Sequence, residues 1–217
     1  MKMGTTNIIV RQAIEQDLKQ IADVHIKCFP DSFSTQLGKA RGGRLQQKFY
    51  QEYLNDVPEL FLVAEEEALP QRKIIGFCMG YYLDKNDYMK KYFRHNLFAV
   101  IVRTVYLLLT GNKPAWAKIM SRFGKSDTFI LVNENLSFSK EEAGDLLSIC
   151  VLPEYRGNGA AQQLIERYQE VLRANDKTIC LLTVAIENGR GVSFYERNGF
   201  VPYKEVIGKV RTYAKTL

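Results

Sequence analysis

Histidine and tryptophan are scarce in this 217-residue chain: two of the first, His25 and His95, and one of the second, Trp116. Four cysteines, Cys28, Cys78, Cys150 and Cys180, stand far apart with no CxxC pair. That spacing excludes a structural zinc site and a disulfide framework, and no metal is expected. Three of the four lie inside apolar runs (GFCMG, SICVL, TICLL), where a reduced thiol acts as a small hydrophobe. Long hydrophobic runs are missing too. Leu97–Leu109 is the longest, thirteen residues with Arg103 in its middle, whereas a spanning helix needs about 20. The opening MKMGTTNIIVRQ lacks the apolar stretch of a signal peptide, so a cytoplasmic location is the default expectation. There is no internal repeat and no low-complexity tract. No GK[ST] follows a glycine-rich loop, which excludes a Walker site.

What remains is enough for a full core. The chain is 46% hydrophobic and 12% aromatic, so it is not a disordered protein. Net charge is +6, which invites nucleic acid, a membrane surface or an anionic small molecule. Residues 1–83 carry 10 basic and 10 acidic groups, residues 141–217 again 10 and 10, and residues 84–140 carry 10 and 4. The whole surplus (10 − 4) therefore sits in the centre.

Periodicity predicts strands at Ile8–Val10, Glu59–Glu65, Ile74–Leu83, Leu146–Val151, Thr178–Ala185 and Phe200–Val210. Helical spacing covers Ile14–Phe29, Leu45–Leu54, Tyr88–Leu109, Ala115–Phe123, Ala161–Leu172 and Val192–Arg197. Asp31–Gly43 reads as a loop, and Pro70-Gln-Arg-Lys as a polar turn. Strands alternating with helices give an α/β (α+β) fold. One domain, 1–217, is expected: an N-terminal half, 1–83; a basic helical insertion, 84–140; and a C-terminal half, 141–217.

The chemistry concentrates in Ile149-Cys-Val-Leu-Pro-Glu-Tyr-Arg-Gly-Asn-Gly-Ala-Ala-Gln-Gln-Leu. A buried strand meets Pro153, a loop with two glycines follows, and a helix starts at once. The first helical N–H groups lack intrahelical partners and favour an anion, and Arg156 adds charge at the same place. Gly157 and Gly159 let a ligand approach the backbone, or simply shape the turn.

Arg156-Gly-Asn-Gly-Ala-Ala resembles the Q/R-x-x-G-x-G/A signature of the GNAT N-acetyltransferases. Asn188, Phe194-Tyr195-Glu196 and Asn198-Gly199-Phe200 resemble that family's second signature, in the right order. The resemblance spans about 145–203, is plausible over 7–83, and leaves 84–140 as an insertion between the third and fourth strands. It implies a mixed, mostly antiparallel twisted sheet flanked by helices. It also implies acetyl-CoA, or another acyl-CoA, as acyl donor. The amides of Arg156, Gly157, Asn158, Gly159, Ala160 and Ala161 would hold the pyrophosphate. The strand at Ile149, Cys150 and Val151 would run along the pantetheine arm. Asn188 would meet the pantetheine or thioester end, and Tyr195 would lie near the sulfur as proton donor.

Attack of an amine on a thioester also needs an oxyanion donor and a base. A backbone N–H near Ile149–Val151 suits the first. Asp145, six residues before Val151 and so on the same face by strand alternation, is the candidate base; the alternative is a strand-end aspartate. His25, on the apolar face of its helix, reads as a core histidine, and His95 is remote. The Ser and Thr hydroxyls of Phe29–Gly38 suit a polar acceptor such as an amino sugar, or simply a solvated loop. The expected partner is a small-molecule amine. An acyl-CoA sensor without turnover and a peptide or protein N-acetyltransferase are the alternatives. Nucleic acid is not expected, because no recognised motif accompanies the modest basic charge. The insertion is expected to cover the site, contact a membrane peripherally, or form a homodimer.

Overall fold

Stiff β-branched and aromatic runs make the strands, and amphipathic stretches between them make the helices. The computed structural model describes residues 7–38, 43–67, 72–85, 87–123, 129–133 and 136–217. The strands are β1 (Ile8–Gln12), β2 (Phe61–Glu66), β3 (Lys73–Tyr82), β4 (Phe129–Leu131), β5 (Ala143–Val151), β6 (Ile179–Ala185), β7 (Val201–Val206) and β8 (Val210–Thr216). The helices are α1 (Leu18–Cys28), α2 (Phe33–Gly38), α3 (Arg44–Asp56), α4 (Tyr88–Leu109), α5 (Lys113–Phe123), α6 (Ala160–Ala174) and α7 (Gly189–Arg197).

All eight strands form one sheet in the order β1-β2-β3-β5-β6-β8-β7-β4. Every pairing is antiparallel except β5 with β6. That parallel pair needs a crossover, and α6 supplies it. The main core is continuous from β1 to β6 and includes the fully buried Tyr50, Tyr53, Phe61, Phe77 and Tyr168. Helix α6 packs on β1, β2, β3 and β5, and α1 packs on β3 and β5. At one edge Arg11 is clamped between two buried carboxylates. Its Nη1 and Nη2 donate to Asp17 (2.6 and 2.9 Å), and its Nε and Nη2 donate to Glu65 (2.9 and 2.6 Å).

Three expectations change. The stretch read as a loop contains α2, because the Ser32 hydroxyl accepts the Thr35 N–H (3.1 Å) and starts a helical turn. The last strand is two, β7 and β8, folded back at Gly208 (φ 69°). The insertion is not wholly helical: it adds β4, which pairs with β7 through Phe129↔Val206 to Leu131↔Lys204. Parts of the predicted loop and polar turn, residues 39–42 and 70–71, lie outside the described residues, as does Lys125.

Helices α4 and α5 lean on the N-terminal helices. Tyr92, Val100 and Leu107 of α4 are buried, in a helix that contacts α2 and α3. Arg103 Nη2 donates to the Gln36 carbonyl (3.1 Å), and Asn112 Nδ2 donates to Gln36 Oε1 (3.3 Å).

Candidate active site

The site begins where β5 and β6 part. They pair only from Ala143↔Ile179 to Leu146↔Leu182, although β5 continues to Val151 and β6 to Ala185. The cause lies on the other side of β5. Against β3, Met79 pairs with Ser148 and Gly80 with Leu146, which leaves Leu147 without a partner. Such a bulge bends and over-twists its strand, and β5 turns away from β6 at that point. The result is a V whose inner edge, Leu147–Val151, is not paired to β6.

The bulge also inverts the alternation. Directly paired residues share a face, so Phe77 with Cys150, Met79 with Ser148 and Tyr81 with Asp145 all lie on one side. Asp145 therefore shares the face of Cys150, and the expected common face with Val151 is corrected. The Tyr81 hydroxyl donates to Asp145 Oδ2 (3.4 Å). Burial raises the Asp145 carboxyl to about 6, and the hydrogen bond from Tyr81 only partly offsets this. Sequence reading missed Tyr81. Its apolar-flanked position in β3 was visible, but the register that sets it opposite Asp145 was not.

Beyond Val151 the chain makes one 3-10 turn, Pro153–Tyr155, and enters the glycine loop. Gly157 and Gly159 both occupy the left-handed region (φ 86° and 89°), which disfavours any other residue. A Cβ on Gly157 would meet nothing within 4 Å, and one on Gly159 only Gln163 Nε2 at 3.9 Å. Backbone conformation is thus the reason for glycine here, and the space above the loop is open. Gly159 is the N-cap of α6, so the Ala160 and Ala161 amides stand at a helix start. The Ala160 N–H donates to Asn158 Oδ1 (3.1 Å), and Arg156 Nε donates to the Val151 carbonyl (3.3 Å). The Tyr155 hydroxyl, bonded to Glu66 and to Lys73 Nζ, pins the loop to the β2–β3 hairpin.

Across the V, Asn188 caps α7, its Oδ1 accepting the Gly191 N–H (3.1 Å). About two turns later Tyr195 packs between Phe194 and Phe200 (ring centroids 5.5 and 5.9 Å). Its hydroxyl has no hydrogen-bond partner among the described residues, and burial pushes it up to about 12, so it keeps its proton at neutral pH. Tyr195 and Asp145 both lie within electrostatic reach of the buried Cys180 thiol. On the Asp145 face, the Cys28 thiol at the end of α1 lies near Cys150, and the influence of Cys150, with that of Arg156, lowers the pKa of Cys28.

His25 is a satisfied core histidine. Its Nδ1 lies 2.6 Å from the Tyr50 hydroxyl and its Nε2 3.1 Å from Ser34 Oγ, and burial lowers it to about 4. His95 pairs with Glu52 (2.6 Å) on the α3–α4 side. A separate cavity of about 330 Å³, lined by Asp56, Val57, Glu59, Tyr82, Lys85 and Asp87, shares no residue with the V or the loop. No group of three or more potential metal ligands occurs among the described residues.

A strand pair splayed at a bulge, followed by a glycine loop and a helix start, defines a GNAT-type acetyltransferase fold. Comparison with known proteins agrees. Residues 127–202, about a third of the chain, match the acetyltransferase (GNAT) domain family. It is 32% identical over 75 residues to an uncharacterized N-acetyltransferase of Methanocaldococcus jannaschii, covering 35% of this chain and 33% of that protein. It is 32% identical over 63 residues to N-alpha-acetyltransferase 30 of Schizosaccharomyces pombe, covering 29% and 42%. The matched stretches thus span less than half of either relative. The PaiA N-acetyltransferase of Thermoplasma acidophilum, solved with coenzyme A, superposes over 97% of this chain and 99% of its own with a TM-score of 0.56 at 16% identity.

Proposed function

We propose that this protein is an N-acetyltransferase that moves an acetyl group from acetyl-CoA to a primary amine. The observation that carries the reading is the V: β5 leaves β6 beyond Leu146, and its free edge leads straight into the Gly157–Gly159 loop and the start of α6. The open space over Gly157 fits a ligand that lies against the loop backbone. The amides of Gly157, Asn158, Gly159 and Ala161 and the Arg156 side chain hold the pyrophosphate, while the Arg156 and Ala160 N–H groups already donate to the Pro153 carbonyl and to Asn158 Oδ1. The β5 edge at Ile149, Cys150 and Val151 pairs with the pantetheine arm, and Asn188 borders it. In this division, 141–217 binds the donor, 1–83 presents the acceptor, and 84–140 packs over the acceptor side.

When bound, acetyl-CoA supplies the activated acetyl thioester. The residues do the rest. A β5 amide beside the V donates to the developing oxyanion. Asp145, ionised above about pH 6, takes the proton that the acceptor ammonium must lose. The Tyr195 hydroxyl gives a proton to the departing thiolate and recovers one from solvent. The amine nitrogen gains the acetyl carbon as the C–S bond breaks, so no covalent enzyme species is needed.

The acceptor is a small-molecule amine, and the accessible hydroxyls of Ser32 and Ser34, held from behind by the buried Thr35, favour an amino sugar or its nucleotide-linked form. The likeness to N-alpha-acetyltransferase 30 favours a second reading, a peptide N-terminus. Four free cysteines accord with a reducing, cytoplasmic setting. Among the described residues no helix is long and apolar enough to cross a membrane.

Two measurements test the proposal. Calorimetric titration with acetyl-CoA should show binding that Arg156→Ala and Gly159→Trp weaken; unchanged affinity removes the cradle. Thiol release should then be followed with amino sugars, nucleotide-linked amino sugars, polyamines, amino acids and peptides. Binding without turnover across the panel would leave a sensor instead of an enzyme.

A further inference from the structure

Helix α4 is apolar on two opposite sides. One side holds the buried Tyr92, Val100 and Leu107. The other carries Leu97, Phe98, Ile101, Val102, Val105 and Leu109, all exposed, with Phe98 at 81% and Leu109 at 83%. The strip runs about 18 Å along the helix at 1.5 Å per residue. Arg103, the charge in the middle of the sequence run, is not in it: its guanidinium turns to the Gln36 carbonyl. Basic residues bracket the strip, with Lys90 and Arg94 before it and Lys113 and Lys118 after it; Lys90 pairs with the exposed Asp87, and Lys91 is held back by Asp56. Trp116 on α5 is exposed beside its C-terminal end, where its Nε1 donates to the Leu108 carbonyl (3.0 Å).

We propose that this face docks on an anionic lipid bilayer. The strip sinks into the boundary between headgroups and acyl chains, and the flanking cations meet lipid phosphates. Charge selects this occupant. The segment 84–140 holds the entire +6 of the chain (10 basic, 4 acidic), so a two-fold contact with a second copy sets like charge against like. A nucleic acid takes the cations but leaves the apolar strip facing phosphates. An anionic bilayer accepts both features together.

Trp116 is the sole tryptophan of the chain, so its fluorescence reports directly on the docking face. The full chain is mixed with vesicles of phosphatidylcholine alone or of equimolar phosphatidylcholine and phosphatidylglycerol. The expected result is flotation and a blue-shifted Trp116 emission with the phosphatidylglycerol vesicles, weak on phosphatidylcholine and weakened by salt. Phe98→Ser/Leu109→Ser, which alters only exposed positions and should leave the melting temperature unchanged, is expected to lower partitioning about tenfold or more. Lys90→Gln/Arg94→Gln should reduce the preference for phosphatidylglycerol. Absence of flotation, or equal flotation by the apolar double variant, overturns the proposal. So does a dimer in sedimentation that this variant converts to monomer without any vesicle binding, or salt-sensitive binding to RNA without binding to vesicles.

Discussion

Asp145→Asn separates what burial costs the fold from what the carboxylate does for the reaction. Asp145 has no cationic partner among the described residues and receives one long hydrogen bond, from Tyr81. Burial raises it from 3.8 to about 6, and each pKa unit corresponds to about 1.4 kcal/mol. Below about pH 4 the carboxyl is protonated in both folded and unfolded chains, and burial costs nothing extra. Between about 4 and 6 the unfolded chain has released its proton while the folded one retains it, so stability falls as pH rises. Above about 6 the penalty levels off near 3 kcal/mol, an upper figure for a group with some access to solvent. Asparagine removes the charge, keeps the shape, and still accepts from Tyr81. Asp145→Asn should therefore be more stable than wild type at neutral pH by about 1–3 kcal/mol. For a chain of this size that raises Tm by about 2–4 °C per kcal/mol. Melting curves across a pH series should show this gain shrinking to nothing on acidification. An unchanged or lower Tm at neutral pH, or a gain independent of pH, refutes the burial argument. Turnover is a separate readout: it should fall about 100-fold or more, and the wild-type rise through about pH 6 should vanish.

Tyr195→Phe should slow acetyl transfer about 100-fold while leaving acetyl-CoA affinity nearly intact; an undiminished rate removes the hydroxyl from the reaction. Arg11→Ala strips Asp17 of its bidentate partner and leaves Glu65, among the described residues, the exposed Arg72 (3.3 Å) as its cation. A loss of about 3–5 kcal/mol is expected in denaturant titrations. Gly80→Ala would place a Cβ 1.8 Å from the Tyr168 hydroxyl and 2.2 Å from the Asp145 carbonyl. Those two groups are hydrogen-bonded to each other at 2.9 Å. The methyl has no room, and a cost of about 1–3 kcal/mol is expected by thermal melting.

The strand–loop–helix unit from Ala143 to Ala174 was legible because its signals are local. Pro153 ends the ladder, Gly157 and Gly159 supply left-handed backbone, and Leu164, Ile165, Tyr168 and Leu172 repeat at helical spacing. The bulge was not legible. Leu147 is as apolar as Leu146, and only pairing with β3, more than sixty residues away in sequence, leaves it over. The side of the sheet that carries Asp145, and Tyr81 as its neighbour, were hidden for the same reason. Helix α2 and the β7–β8 turn carry local marks of their own: Ser32 and Thr35 for the first, Gly208 for the second. Strand β4 had none, since three residues carry little period and their partner lies some seventy-five residues later.

That short strand bears on how the protein can be cut. Phe129–Leu131 occupies the border of the sheet and satisfies the outward-facing backbone of Lys204–Val206. Excising residues 84–140 whole would strip this hem and bare an unpaired edge, which invites end-to-end sheet association. Material lost to aggregation would then pass for loss of function. A deletion meant to isolate the role of α4 and α5 should stop short of Phe129 and rejoin the chain so that β4 still reaches β7.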